Sequence, residues 1–266
     1  MQKRVEFLNK EQRIKGVLYL RKKAPMIVIC HGFTADKDLK LLVFLSKFLY
    51  KNGYSVFRFD FRGSGDSDGE FTGIDGEISD LKQVMKFVKP YAGKIILLGH
   101  SFGNSVIALS DQKPKGVIMI NPALSPELTA FTFLRRLIPL FLIHRLFKKI
   151  DSIADKTFAS LEATGRLMKS KFRFKLGEEA LDESKRLSVR IIRNVHAPLF
   201  LLQSTNDNLV HVKGTEQAFR LAHKPKELFL LEGANHTISS YKHKTIVARK
   251  ILGWLTENGF KGTSKK

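Results

Sequence analysis

One cysteine, Cys30, stands among 266 residues. That scarcity excludes an intrachain disulfide framework and any cysteine-built zinc cluster, and it fits a reducing compartment. Met1 to Lys10 is polar and charged, without the continuous apolar stretch of a secretory leader, so export is not expected. The most apolar region, Phe131 to Phe147, is interrupted by Arg135, Arg136 and Pro139 and falls short of the roughly 20 residues that span a bilayer. No transmembrane helix follows, and a cytoplasmic location is expected. Acidic residues are few: 25 Asp and Glu against 46 Lys and Arg leave a net charge of +21. Such a surface attracts phosphates, anionic lipid or acidic ligands, but it names no reaction. What is present is a hydrophobic content of 43%, enough for the core of one large α/β domain or two small ones.

The periodicity alternates between strand and helix. Val5 to Leu8 and Ile14 to Leu20 read as a hairpin around a polar turn, Asn9 to Arg13. Met26 to Cys30 and Ser55 to Phe61 are short β-rich runs, and the helical spacing of Leu39 to Lys51 between them makes a βαβ unit. Helix Gly76 to Lys89 is closed by Pro90. Strand Lys94 to Leu98, helix Ser101 to Ser110 and strand Gly116 to Ile120 follow. After an interruption the pattern resumes with strand Pro198 to Gln203, helix Lys213 to Ala222, strand Glu227 to Leu231 and helix Tyr241 to Asn258. Runs such as Ile95 to Leu98 are apolar on both faces, as in strands covered by helices on both sides. The expected fold is therefore α/β, a mostly parallel doubly wound sheet with an N-terminal hairpin. Residues 125–196 are expected to form a helical cap inserted into a core made of 1–124 and 197–266.

Gly99-His100-Ser101-Phe102-Gly103 lies directly between a buried strand and a helix. A Gly-x-Ser-x-Gly match alone arises by chance in about one chain in ten of this length. The strand-to-helix context carries the weight: a turn this sharp needs small flanking residues, and it throws the serine hydroxyl out above the sheet. The alternative is a serine that caps the helix. A nucleophilic serine needs a base, and the base needs an orienting acid. His236 and Asp207 each follow a strand, so both belong at the carboxyl edge of the sheet with Ser101, where open α/β sheets place ligands. Singly, His236 reads as a loop histidine and Asp207 as the N-cap of the helix that follows. His31-Gly32-Phe33, leaving strand Met26 to Cys30, supplies a loop for the oxyanion, with the Phe33 and Phe102 N–H groups as donors. His31, Gly32, Phe33, His100 and Phe102, together with the cap, are the expected substrate-binding set.

With these residues in view, the sequence resembles the α/β-hydrolase superfamily over nearly all of its length. Asp60-Phe61-Arg62-Gly63-Ser64-Gly65-Asp66-Ser67 is similar to the Asp-x-Arg-Gly-x-Gly-x-Ser turn of the serine aminopeptidase-like, monoacylglycerol lipase-like and cinnamoyl esterase-like branch. The resemblance implies a structural turn bracing the oxyanion loop, Ser101 in a nucleophile elbow, and Asp207 and His236 as acid and base. Asn104, where many relatives carry a second glycine, and Asn235, where glycine is common before the histidine, depart from the pattern.

Other chemistries fit less well. Asp66, Ser67, Asp68 and Glu70 put negative charge where a phosphate cradle would need positive charge, and a calcium loop's ligand spacing is missing. Cys30 beside His31 reads as a buried strand cysteine. The basic residues lack the aromatic interleaving of a single-strand groove. No metal, no organic cofactor and no specific nucleic acid are expected. The interruption carries too many bulky apolar residues for one helix face, Phe131, Leu134, Leu137, Phe141 and Phe147 among them, which suggests an acyl or aromatic pocket with a basic rim. The reading is a serine carboxylic-ester hydrolase acting on a small-molecule ester, with an anionic membrane surface as a further partner. A peptidase, amidase or thioesterase with the same triad is the enzymatic alternative. A non-catalytic or membrane-surface binding protein is the alternative of another class.

Overall fold

A computed structural model describes residues 2–124 and 188–263. Eight strands form one sheet: β1 Gln2–Asn9, β2 Gln12–Tyr19, β3 Met26–Cys30, β4 Ser55–Phe59, β5 Ile95–His100, β6 Gly116–Ile120, β7 Leu199–Ser204 and β8 Lys226–Leu231. Their order is β1-β2-β4-β3-β5-β6-β7-β8. The hairpin pairs Gln2 with Tyr19 and Asn9 with Gln12 in antiparallel register. β2 joins β4 antiparallel, and every later pairing is parallel. The described helices are α1 Lys40–Lys51, α2 Ile74–Val88, α3 Gly103–Leu109, α4 Val212–Leu221 and α5 Tyr241–Glu257. This is the α/β-hydrolase architecture. The expected elements recur with ends moved by at most three residues, and Pro90 lies in a 3-10 turn, Lys89–Tyr91, just past α2.

Side chains of a strand alternate between faces, so a strand buried on both sides tends to be apolar along its whole length rather than at alternate positions. β3 shows this directly. Met26, Val28 and Cys30 join one apolar cluster with Leu97, Met119 and Leu201, packed under α2, α3 and α4. Ile27 and Ile29 join the other with Leu98, Ile120 and Phe200, packed under α1 and α5. Each such fully buried side chain contributes about 1.5–3 kcal/mol. Together the two layers make the rigid platform from which the loops at the carboxyl edge project.

Residues 125–187 of the expected cap lie outside the described residues. The chain from residue 188 onward packs on the sheet domain. A 3-10 turn, Val189–Asn194, buries Ile191 and Ile192 in the same cluster as Val106, Ile107 and Ala218. No helix among the described residues is long and apolar enough to cross a membrane.

Candidate active site

Ser101 follows the last residue of β5 and precedes α3 by two positions. It holds a positive φ of 54°, a conformation costly for a side-chain-bearing residue and retained only where its surroundings enforce it. The enforcing contacts are visible. The Ser101 N–H donates to Ile120 O at 3.0 Å, and Asn104 Nδ2 donates to Ser101 O at 3.0 Å and to Ile120 O at 2.9 Å. The departure at Asn104 therefore ties the elbow to the end of β6. Ser101 does not cap α3, whose N-cap position is Phe102.

Two glycines let the elbow close. A Cβ added to Gly103 would stand 2.5 Å from the carbonyl oxygens of both Cys30 and His31, and one added to Gly32 would stand 2.9 Å from Ser101 Cβ. The His31-Gly32-Phe33 loop thus lies directly against the Ser101 turn. Gly103→Ala is expected to lower stability by about 1–3 kcal/mol and to depress turnover, because the methyl group overpacks against backbone that cannot rotate away. Gly253→Ala, in α5 where an added Cβ meets nothing within 4 Å, should instead gain about 0.5–1 kcal/mol from helix propensity. Thermal denaturation of both variants checks the pair; equal shifts would contradict the steric account.

His236 sits on the loop after β8 and is mostly buried. Its Nε2 is 2.9 Å from Ser101 Oγ, and its Nδ1 is 2.7 Å from Asp207 Oδ2. Asp207 also accepts the Leu209 N–H at 2.8 Å and the Val210 N–H at 2.9 Å through Oδ1. Burial pushes this carboxyl's pKa up, but the His236 hydrogen bond and charge and the two backbone N–H groups outweigh it, leaving the pKa below the ordinary carboxylate value. Asp207 does not cap the following helix, which begins at Val212 behind the N-cap position His211. With Nδ1–H donated to the carboxylate, Nε2 offers its lone pair to the serine hydroxyl, the arrangement a general base needs.

Two residues of the expected substrate-binding set, His31 and His100, turn their side chains to backbone partners. His31 is buried; its Nδ1–H donates to Gly32 O at 2.8 Å and its Nε2 accepts the Phe61 N–H at 3.0 Å. Burial lowers its pKa. His100 is also buried, with Nε2–H donating to His236 O at 3.0 Å. Burial first, then the neighbouring His236, lowers its pKa to about 3. Both are neutral struts: His31 ties the His31-Gly32-Phe33 loop to the Asp60 turn, and His100 holds the His236 loop. Among the described residues, no three His, Cys, Asp or Glu side chains group in a way that could hold a metal. Cys30 is buried and its thiol pKa is raised by that burial and by Glu77, so it is no nucleophile.

The Asp60–Ser67 turn does brace the loop. Asp60 is fully buried and accepts the Lys37 N–H and Lys37 Nζ, each at 2.7 Å, and the Asp66 N–H at 2.8 Å. Gly65, at φ 50°, leaves no room for a Cβ beside the Asp60 carboxylate. Arg62 pairs with buried Asp80 at 2.7 Å.

Three contributors escape sequence reasoning. Asn121, fully buried, donates from Nδ2 to His236 O at 2.7 Å and accepts the Ser204 N–H at 2.8 Å, so His236 O is gripped from two sides. Lys37, a few residues past the His31-Gly32-Phe33 loop, is clamped to Asp60 and Asp66. Phe71 meets Phe33 edge-to-face at 5.2 Å and Phe102 at 6.2 Å, while Phe33 and Phe102 meet at 6.0 Å. These three rings form an aromatic cluster beside the serine turn. Nothing local distinguishes Asn121, Lys37 or Phe71, whose partners lie far away in the chain. Asn235, the other departure, bonds Ser239 through Nδ2–Oγ at 3.0 Å and steadies the loop carrying His236.

A model of the serine aminopeptidase S33 family matches residues 21–240. An uncharacterized protein of Rickettsia prowazekii strain Madrid E is 31% identical over 107 residues, which are 37% of this chain and 45% of that protein. The chain thus matches less than half the length of that relative. Among solved structures, DcsB in complex with a substrate analogue superimposes with a TM-score of 0.75 at 20% identity, covering 97% of this chain and 100% of DcsB. A Pyrococcus furiosus esterase superimposes with a TM-score of 0.71 at 21% identity, covering 97% and 91%.

Proposed function

We propose, from the premise that this chain belongs to the serine aminopeptidase S33 family of α/β-hydrolases, that it hydrolyses small-molecule carboxylic esters through an acyl-enzyme formed on Ser101. The observation that carries this reading is the unbroken line from Ser101 Oγ to His236 at 2.9 Å and from His236 to Asp207 at 2.7 Å. In the first step Ser101 Oγ attacks the ester carbonyl carbon while His236 Nε2 takes its proton. Asp207 holds the tautomer and offsets the charge on the imidazolium. The oxyanion is received by the Phe33 and Phe102 N–H groups; the close approach of Gly32 to Ser101 and the place of Phe102 at the head of α3, where amides lack intrahelical acceptors, favour this pair. His236 then protonates the leaving alcohol, and water, activated by the same base, releases the acid.

The Phe33, Phe71 and Phe102 cluster supports an aromatic or acyl group on the substrate, and the Pyrococcus furiosus esterase shares the fold. The same rings would equally suit an aromatic residue of an amide substrate, so the test compares matched leaving groups. A series of p-nitrophenyl esters of increasing acyl length and the corresponding p-nitroanilides are assayed side by side. Esters are expected to turn over at least a hundredfold faster than their anilides. Anilides turned over as fast as esters would make amide hydrolysis the activity instead.

A further inference from the structure

The positive charge of this protein is not spread evenly over the two helical layers. α1 carries Lys40, Lys47 and Lys51 and no carboxylate; α5 carries Lys242, Lys244, Arg249 and Lys250, and its one carboxylate is Glu257 at its last position. On the opposite face of the sheet, α2 and α4 balance Lys82, Lys86, Lys213 and Arg220 against Asp75, Glu77, Asp80 and Glu216, and α3 carries no charge. The α1–α5 layer therefore holds an excess of six positive charges, while the α2–α4 layer holds none.

Aromatic side chains stand within that charge. The outward row of α1, at positions i, i+4, i+7, i+8 and i+11, runs Lys40, Phe44, Lys47, Phe48, Lys51, with the lysines exposed and the phenylalanines half-buried. Phe44 stacks near Phe48 at 6.4 Å and meets Tyr241 of α5 edge-to-face at 5.6 Å. Lys244 Nζ lies 5.9 Å from the Phe44 ring centre. Tyr241 is 74% exposed, the most exposed large apolar side chain among the described residues. α1 starts soon after the His31-Gly32-Phe33 loop, and α5 starts soon after the loop of His236, so the patch adjoins the edge that carries Ser101.

We propose that the α1–α5 face is a docking surface for an anionic lipid bilayer, with the lysines drawn to acidic headgroups and Tyr241, Phe44 and Phe48 seated at the headgroup boundary. The two features fit this occupant together. Basic side chains gain from the negative surface potential of acidic lipid, and amphipathic rings prefer the interfacial zone. Phe44 and Phe48 also pack on the sheet's apolar cluster, and Tyr241 is the exposed ring; duplex nucleic acid, with its bases stacked, would account for the charge but not for that ring. This face is distinct from the basic rim that the sequence suggests for residues 125–196. Docking is read without any turnover, so its failure would leave the ester reading where it stands.

The test is co-sedimentation of the whole chain with phosphatidylcholine vesicles containing or lacking phosphatidylserine. Binding is expected only with phosphatidylserine and should weaken as salt is added. Lys40→Gln and Lys47→Gln should each lower partitioning by about fivefold. Tyr241→Ser with Phe48→Ser should lower it by about tenfold at unchanged net charge. Lys82→Gln with Lys86→Gln, on α2, should change it less than twofold. Circular dichroism verifies that each variant is folded. Failure to bind phosphatidylserine vesicles, an equal loss from the α2 variant, or an unchanged affinity after removal of the aromatic rings would overturn the proposal. So would duplex DNA that displaces the protein from vesicles at equal ionic strength, which would make nucleic acid the occupant.

Discussion

Ser101→Ala is expected to lower kcat for a p-nitrophenyl ester by roughly four to six orders of magnitude while the melting temperature moves by no more than a few degrees. The size follows from the role: removing the nucleophile abolishes the acyl-enzyme route, and only binding and oxyanion stabilisation are left to exceed the rate in water. The small stability change follows from the contacts. The elbow is held through main-chain atoms of Ser101, which Ile120 O and Asn104 engage and which alanine retains. Only the bond to His236 Nε2 is lost. KM should change little, since Oγ touches the reacting carbonyl and not the remote parts of the substrate. A variant retaining a tenth of the activity would remove Ser101 from the mechanism.

Asp207→Asn is expected to lower kcat by about 10⁴. An amide here can donate to Nδ1 and stabilise the tautomer with the proton on Nε2, so that the ring faces Ser101 with a donor instead of a lone pair. The substitution also tests the electrostatics. Because the pKa of Asp207 is depressed in the folded chain, its carboxylate contributes stability that is fully present above the unfolded value of about 3.9 and is lost as pH falls through the folded value. Asp207→Asn should therefore destabilise the protein near neutrality and lose less stability than the parent as the pH is lowered below about 4. Urea titrations at several pH values measure this; parallel pH dependence in the two proteins would mean the carboxylate gains nothing from its partners.

The fold was legible because its signals are local. β3 throughout and β5 from Ile95 to Leu98 are apolar on both faces, which is the mark of a strand covered on both sides, and the polar break at Asn9 to Arg13 marks the hairpin. The three residues in line at the carboxyl edge were legible for the same reason, since each follows a recognisable strand. The geometry brings Ser101, His236 and Asp207 together as their positions suggest. What sequence could not give is the direction of a side chain within a loop. His31 and His100 are adjacent to the site in sequence, yet each turns inward to a backbone partner: His31 through both ring nitrogens, His100 through Nε2 alone. Asn121 and Lys37 act on loops more than 20 residues away from them, and no periodicity announces such a contact. Phe71 lies in an irregular stretch, and only the folded chain sets it against Phe33 and Phe102.

The central claim is that Ser101 is an activated nucleophile, and the most direct measurement is mass spectrometry of the folded protein after exposure to a fluorophosphonate. The account predicts one adduct, on the peptide carrying Ser101, formed within minutes and absent from Ser101→Ala. A folded protein that stays unlabelled, or one labelled at another residue, would contradict it.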